Sequence, residues 1–234
     1  MNQNLAIPAA IVIAGVIIAG ALFFSGRVAT PAGPTPDNTP SAGDPNIVPP
    51  VSADDHILGN PDAPIVVIEY SDIECPFCKQ FHVTMKQIMD EYGQDGTVAW
   101  VYRNFPLQEL HPNAPALAEA GECVASLGGN SAYWNFLDEI FAIAPINTLF
   151  PMDQLQNTVS SVGVDVGAFN ECVSSGEHRA RVEKDFNDAV KTGGQGTPHN
   201  IIITRAGSIV PVAGAQPYAQ MKTIIETIIQ EEGY

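Results

Sequence analysis

Basic residues are scarce: ten Lys and Arg stand against 26 Asp and Glu, for a net charge of −16. No basic stripe is available to neutralise phosphates, which excludes nucleic acid as a partner. Cysteine is also sparse, with four residues in 234. Cys75 and Cys78 form a Cys-x-x-Cys pair, but Cys123 and Cys172 are isolated and no His-x-x-x-His follows. A structural zinc site needs two further ligands at matching spacing, so the sequence offers no metal centre. Haem attachment needs histidine directly after the second cysteine, and Lys79 is there instead. The five histidines, His56, His82, His111, His178 and His199, show no triad or ligand spacing. Nothing in the chain calls for an organic cofactor.

Long apolar runs are limited to one. Leu5 to Phe24 is interrupted only by Pro8, Gly15 and Gly20, and at roughly 1.5 Å per residue it matches a hydrocarbon core of about 30 Å. A cleaved signal peptide is the competing reading. It expects a basic start and a small-x-small cleavage site, whereas Met1-Asn2-Gln3-Asn4 carries no charged side chain and Arg27 stands three before a cut after Ala29. Residues 1–28 are therefore read as an uncleaved membrane anchor. Lone Arg27 votes for a cytoplasmic C-terminal side. The redox chemistry below points the other way, and we place the rest of the chain outside, as a single-pass membrane protein. Residues 29–53, with Pro31, Pro34, Pro36, Pro40, Pro45, Pro49 and Pro50 among small polar residues, read as an extended tether with almost nothing to bury.

The chain is 45% hydrophobic over its whole length, and residues 54–234 are long enough for one well-filled domain. The domain is organised around residues 65–89. Ile65-Val66-Val67-Ile68 is a short β-branched run, a buried strand. After the turn Ser71-Asp72-Ile73-Glu74 comes Cys75-Pro76-Phe77-Cys78. Pro76 suits a first helical turn, and Phe77, Phe81, Met85, Ile88 and Tyr92 recur at helical spacing. Cys75 is thus expected at an exposed helix N-terminus, where free N–H groups and the helix dipole favour its thiolate. Cys78, one turn on, is placed to attack a mixed disulfide at Cys75. This is a dithiol that closes and reopens. Further along, residues 97–102 read as a second strand, residues 113–192 as a helical insertion, Asn200–Thr204 and Ile209–Val212 as a hairpin with Pro211 at an edge or a bulge, and a last helix starts at Pro217. The fold class is α/β.

Together, Glu69 through Cys78, Arg103-Asn104-Phe105-Pro106-Leu107, Gly196-Thr197-Pro198 and Gly214-Ala215-Gln216-Pro217-Tyr218 resemble the DsbA-like thiol–disulfide oxidoreductases of the thioredoxin-like superfamily, membrane-anchored bacterial members above all. The resemblance runs from His56 to Ile229 and implies a thioredoxin fold with a helical insertion. It implies that Cys75 is the nucleophile facing substrate and Cys78 its buried partner. Pro198 would be cis, with the Thr197 backbone pairing with an extended substrate. Glu69 would be a buried acid handling the proton of Cys78, against the plainer reading of a partly exposed strand residue. Strongly oxidising members carry histidine where Phe77 stands, so the resemblance implies a milder oxidant, with Phe77 an apolar contact for unfolded substrate. Asp72 and Glu74 are expected to oppose the thiolate. Cys123 and Cys172, free and buried on a plain reading, fall where anchored members have a second disulfide.

The activity so implied is disulfide donation to folding cysteine-containing proteins by a monomer, reoxidised by a membrane partner of the DsbB or VKOR type. A reductase or isomerase of the same fold is the alternative, since direction depends on potential and partners. A tethered binding or chaperone module, with its cysteines as staples, is the alternative from another class.

Overall fold

The computed structural model describes residues 43–144 and 146–234. The anchor expected at 5–24 and the tether up to 42 lie outside the described residues. Among those described, no helix is long and apolar enough to cross a membrane.

Five strands form one mixed sheet: β1 (His56–Gly59), β2 (Ile65–Ser71), β3 (Val98–Asn104), β4 (His199–Thr204) and β5 (Ile209–Ala213), in the order β1-β3-β2-β4-β5. Only the central pair β2–β3 is parallel, in register from Ile65 opposite Val98 to Ser71 opposite Asn104. Every residue of β2 and β3 is buried, as expected of strands covered on both faces. Pro211 sits on edge strand β5, opposite Ile201, the kind of position where a residue without an N–H is tolerated.

Alternation along β2 divides the core. Ile65 and Val67 join Trp100, Phe81, Met85, Met221 and Ile225 on one face. That face carries α1 (Pro76–Ile88), α2 (Ala114–Ile143) and α6 (Tyr218–Glu232). Val66, Ile68 and Tyr70 join Val101, Phe105 and Ala189 on the other, under α5 (Arg179–Lys191). By the same alternation Glu69 points to the α1 face.

The insertion consists of α2, α3 (Leu155–Ser161), α4 (Val166–Ser175) and α5. α2 is two helical segments in effect, broken at Gly129, whose φ of +78° suits glycine.

One expectation is corrected, and one strand was not expected. The segment before residue 54 is not free tether throughout. Pro45–Ile47 makes a 3-10 turn, Asp44 N–H donates to Lys191 O (2.9 Å), and Val48 and Val51 pack on the second core face. Arg103, buried at the end of β3, donates to the carbonyls of Pro49 (3.1 Å) and Pro50 (3.3 Å) while pairing with Asp55 (2.8 Å). Among the described residues, packing on the domain therefore reaches back to Gly43, where a side chain would collide with the Gly193 backbone. In addition, His56–Gly59 is a strand antiparallel to β3, which four residues with no clean alternation do not announce.

Candidate active site

The parallel strands β2 and β3 end at the same edge of the sheet, and the loop from β2 delivers the cysteines there. Cys75 is the N-cap of α1, with extended dihedrals (φ −71°, ψ 125°), and Pro76 occupies the first turn. Cys75 O accepts from Lys79 N–H at 3.0 Å. The sulfur is not exposed as expected: Cys75 is only 4% accessible. The loop before β4 folds against it, with the thiol donating to Thr197 O at 3.5 Å, and the Thr197–Pro198 peptide bond is cis. The end of α2 and the loop after it, through Phe141 and Ile146, form the far wall of a narrow cleft at Cys75 and Pro76. Beside this covered sulfur Phe77 stands 58% exposed.

The two thiols are sharply unequal. Cys75 drops to about 6: the hydrogen bond from the Cys78 thiol stabilises its thiolate most, burial opposes, and the Thr197 side chain and the N–H groups of Cys78 and Phe77 add support. Cys78 is fully buried and driven well above the ordinary thiol value, by burial first and then by its bond to Cys75 and the charges of Cys75 and Glu69. Its sulfur accepts from Asp72 N–H at 3.4 Å. In the structure the pair is a dithiol.

Glu69 is 1% exposed, so the partly exposed reading fails. Its carboxyl accepts from Ser71 Oγ (2.6 Å) and Trp100 Nε1 (3.0 Å). Burial raises it to about 8; those two bonds pull down, and the Cys75 charge pushes further up. It is thus mainly protonated at pH 7, an acid beneath the cysteines rather than an anion.

Asp72 and Glu74 are buried and occupied with other donors. Asp72 accepts from Leu107 N–H (2.7 Å) and Glu74 N–H (2.8 Å) and lies 2.9 Å from His111 Nδ1. Glu74 accepts from the backbone and side-chain amides of Asn113 (both 3.0 Å) and from Phe150 N–H (3.0 Å). These carboxylates hold the cysteine loop to the start of the insertion, a role that spacing alone does not reveal. No histidine reaches either sulfur by a hydrogen bond among the described residues: His82 meets Asp138 (2.6 Å), His199 meets Thr192 (3.1 Å) and His56 meets Glu122 (3.0 Å). Cys123 on α2 and Cys172 on α4 form a disulfide with Cα atoms 5.9 Å apart. His178 lies close to both sulfurs, but these are bonded to each other and are not free ligands.

A family model described as Thioredoxin matches residues 52–227. The chain belongs to this thioredoxin family. Its architecture is DsbA-like. The crystal structure of alpha-DsbA1 from Wolbachia pipientis superposes with a TM-score of 0.68 at 23% identity, over 80% of this chain and 96% of that one. Oxidised BdbD from Bacillus subtilis gives 0.66 at 22% identity, over 76% and 94%. Pseudomonas aeruginosa DsbA2 gives 0.62 at 25% identity, over 77% and 97%. Among curated sequences, the chain is 33% identical over 150 residues to Na(+)/H(+) antiporter NhaA 3 of Salinispora tropica and 34% over 137 residues to NhaA 1 of Mycolicibacterium gilvum. Those alignments cover 64% and 58% of this chain but 22% and 21% of the antiporters, so the chain spans about a fifth of the length of these relatives.

Proposed function

We propose that the chain is a membrane-tethered, extracytoplasmic thiol–disulfide oxidoreductase that donates the Cys75–Cys78 disulfide to folding proteins. The observation that carries this reading is the placement of Cys75 at the N-cap of α1, facing the Thr197 carbonyl, with Cys78 and the Glu69 carboxyl fully buried, an arrangement that lowers the first thiol and raises the second. A substrate thiolate attacks Cys75 Sγ in the disulfide, and the bond to Cys78 breaks. Cys78 cannot remain a thiolate in its buried position, and Glu69, protonated at pH 7, supplies the proton. The second substrate thiolate attacks its own sulfur in the mixed disulfide and expels Cys75, whose low pKa makes it the better leaving group. Two electrons pass from substrate to enzyme, and a membrane partner of the DsbB or VKOR type takes them on. The Thr197 carbonyl, facing Cys75, is where an extended substrate strand would pair.

The tether and the anchor at 5–24 would hold this chemistry at a membrane. Sequence like this one within proteins named as sodium–proton antiporters fits such a location. The test is the reduction potential of the whole chain in detergent, equilibrated in glutathione buffers, with Cys75→Ser as control. A value of about −120 to −180 mV supports donation, whereas one near −270 mV makes the protein a reductase. The low accessibility of Cys75 favours a second reading, a binding module stapled by its cysteines. Alkylation of the reduced protein separates them: fast labelling of Cys75 with Cys78 protected fits the enzyme, and slow, equal labelling fits the staple.

A further inference from the structure

We propose that the groove between the loop after β3 and helix α5 binds an extended segment of the cysteine-bearing substrate, one rich in apolar and cationic side chains. This deepens the oxidoreductase reading and rests on it. The groove encloses about 690 Å³, within the range of ligand sites. Its apolar lining comes from Leu107, Leu110, Val182 and Phe186. Leu107 and Phe186 bury their inner sides on the second core face, while Leu110 is 70% exposed, so the apolar surface continues out to solvent.

Position connects the groove to the chemistry. Gln195 borders it, two residues before the Thr197 carbonyl that faces Cys75. From the other side, Leu107 is held by the carboxylate of Asp72, three residues before Cys75. The groove is therefore bordered by residues tied to the two loops that flank the reacting sulfur. An extended chain advances about 3.3 Å per residue, so residues a few places from the attacked cysteine would enter it.

Charge decides which chains suit it. Glu109, Glu119 and Glu183 line the groove with Arg179 as the one cation, and Arg179 Nε is bonded to Glu119 at 3.2 Å. Glu109 and Glu183 are exposed and have no ion pair among the described residues. Two unpaired carboxylates on an apolar groove attract Lys or Arg set among Leu or Phe, and repel an acidic segment.

The test measures binding apart from exchange. Fluorescent peptides with Ser in place of Cys, of the types Leu-Arg-Ser-Lys-Phe and Leu-Glu-Ser-Glu-Phe, are titrated with the full chain in detergent and followed by anisotropy. The cationic peptide should bind about tenfold more tightly than the acidic one, a preference that falls with salt. Glu109→Lys with Glu183→Lys should reverse the preference, and Leu110→Ser should weaken both peptides. All three positions are exposed, and a far-UV circular dichroism spectrum matching the parent's reports an intact fold. Equal binding of the two peptides, no binding of either, or a preference that survives the double substitution overturns the proposal. Cysteine versions of the peptides test the reading beneath it. A chain that binds selectively but never exchanges thiols defeats the oxidoreductase reading and leaves the groove, while exchange without selectivity does the reverse.

Discussion

Glu69→Gln should make the protein more stable and a poorer catalyst, and pH should separate the two effects. The carboxyl sits near 8 when folded, against an ordinary value of 4.5. A pKa raised on folding contributes stability that is fully present below 4.5 and is lost as pH rises toward 8, because above 4.5 the unfolded chain gains by ionising and the folded one does not. At pH 7 the linkage relation puts that loss at about 3 kcal/mol. Glutamine removes the titration while keeping the contacts: its carbonyl can accept from Trp100 Nε1, and its amide can donate to Ser71 Oγ, in place of the carboxyl's two bonds. Urea unfolding at pH 4 should show little difference between variant and parent, and at pH 7 the variant should be ahead by about 3 kcal/mol. The gain should be larger in the reduced protein, where the Cys75 charge pushes Glu69 higher, than in the oxidised one. Exchange should move oppositely. Without an acid for Cys78, the rate at pH 7 should fall by about 10², a common contribution of one positioned acid or base. A variant that is less stable than the parent by the same amount at both pH values would refute the reasoning, since Glu69 would then be a plain hydrogen-bond acceptor.

The thiolate absorbance at 240 nm of the reduced protein should titrate with a midpoint near 6 and vanish in Cys75→Ser. This lowered pKa stabilises the folded reduced form fully above the ordinary value of 9, and the benefit disappears as pH falls through 6. At pH 7 it is worth about 1.4 kcal/mol, which raises the potential by about 30 mV over an ordinary thiol pair; glutathione equilibria at pH 5 and pH 7 check the trend. Replacing Cys123 and Cys172 together by alanine opens a link across 49 positions and should cost about 4 kcal/mol in urea unfolding, with the 240 nm midpoint unmoved. Arg103→Ala strands the buried Asp55 and releases the carbonyls of Pro49 and Pro50. It should cost about 3–5 kcal/mol and open residues 43–53 to limited proteolysis.

The features legible in the sequence are those whose cause is local. Cys75-Pro76-Phe77-Cys78 at a helix start needs only the neighbouring strand, the missing N–H of Pro76 and the apolar spacing behind it. The helices of the insertion declare themselves by periodicity, and Pro211 marks the sheet edge by what it cannot donate. The features that were not legible depend on partners far along the chain. β1 exists because β3 offers it a ladder, not because His-Ile-Leu-Gly favours a strand. The tether's last residues read as solvent-facing because proline and glycine bury little, yet Arg103, some fifty residues on, collects their carbonyls.

The same distinction explains the one error at the reacting atom. A helix N-terminus is an exposed place by default, and from residues 65–89 alone Cys75 belongs in water. Its cover comes from Thr197, 122 residues away, and from the end of the insertion. Covering the sulfur removes hydration that would have steadied the thiolate, which explains why burial works against the lowered pKa. What holds the charge instead is a set of short-range donors: the Cys78 thiol first, then Thr197 and the opening N–H groups of α1. Histidine is absent from that set, as Phe77 in its place foretold. A thiolate held by its partner's proton is tied to that partner's state. When Cys78 leaves the disulfide it needs a proton, and once it has one it can stabilise Cys75. In the proposed exchange Glu69, a carboxyl kept neutral by burial, would begin that sequence, and the low pKa of Cys75 would then depend on a proton held beneath it.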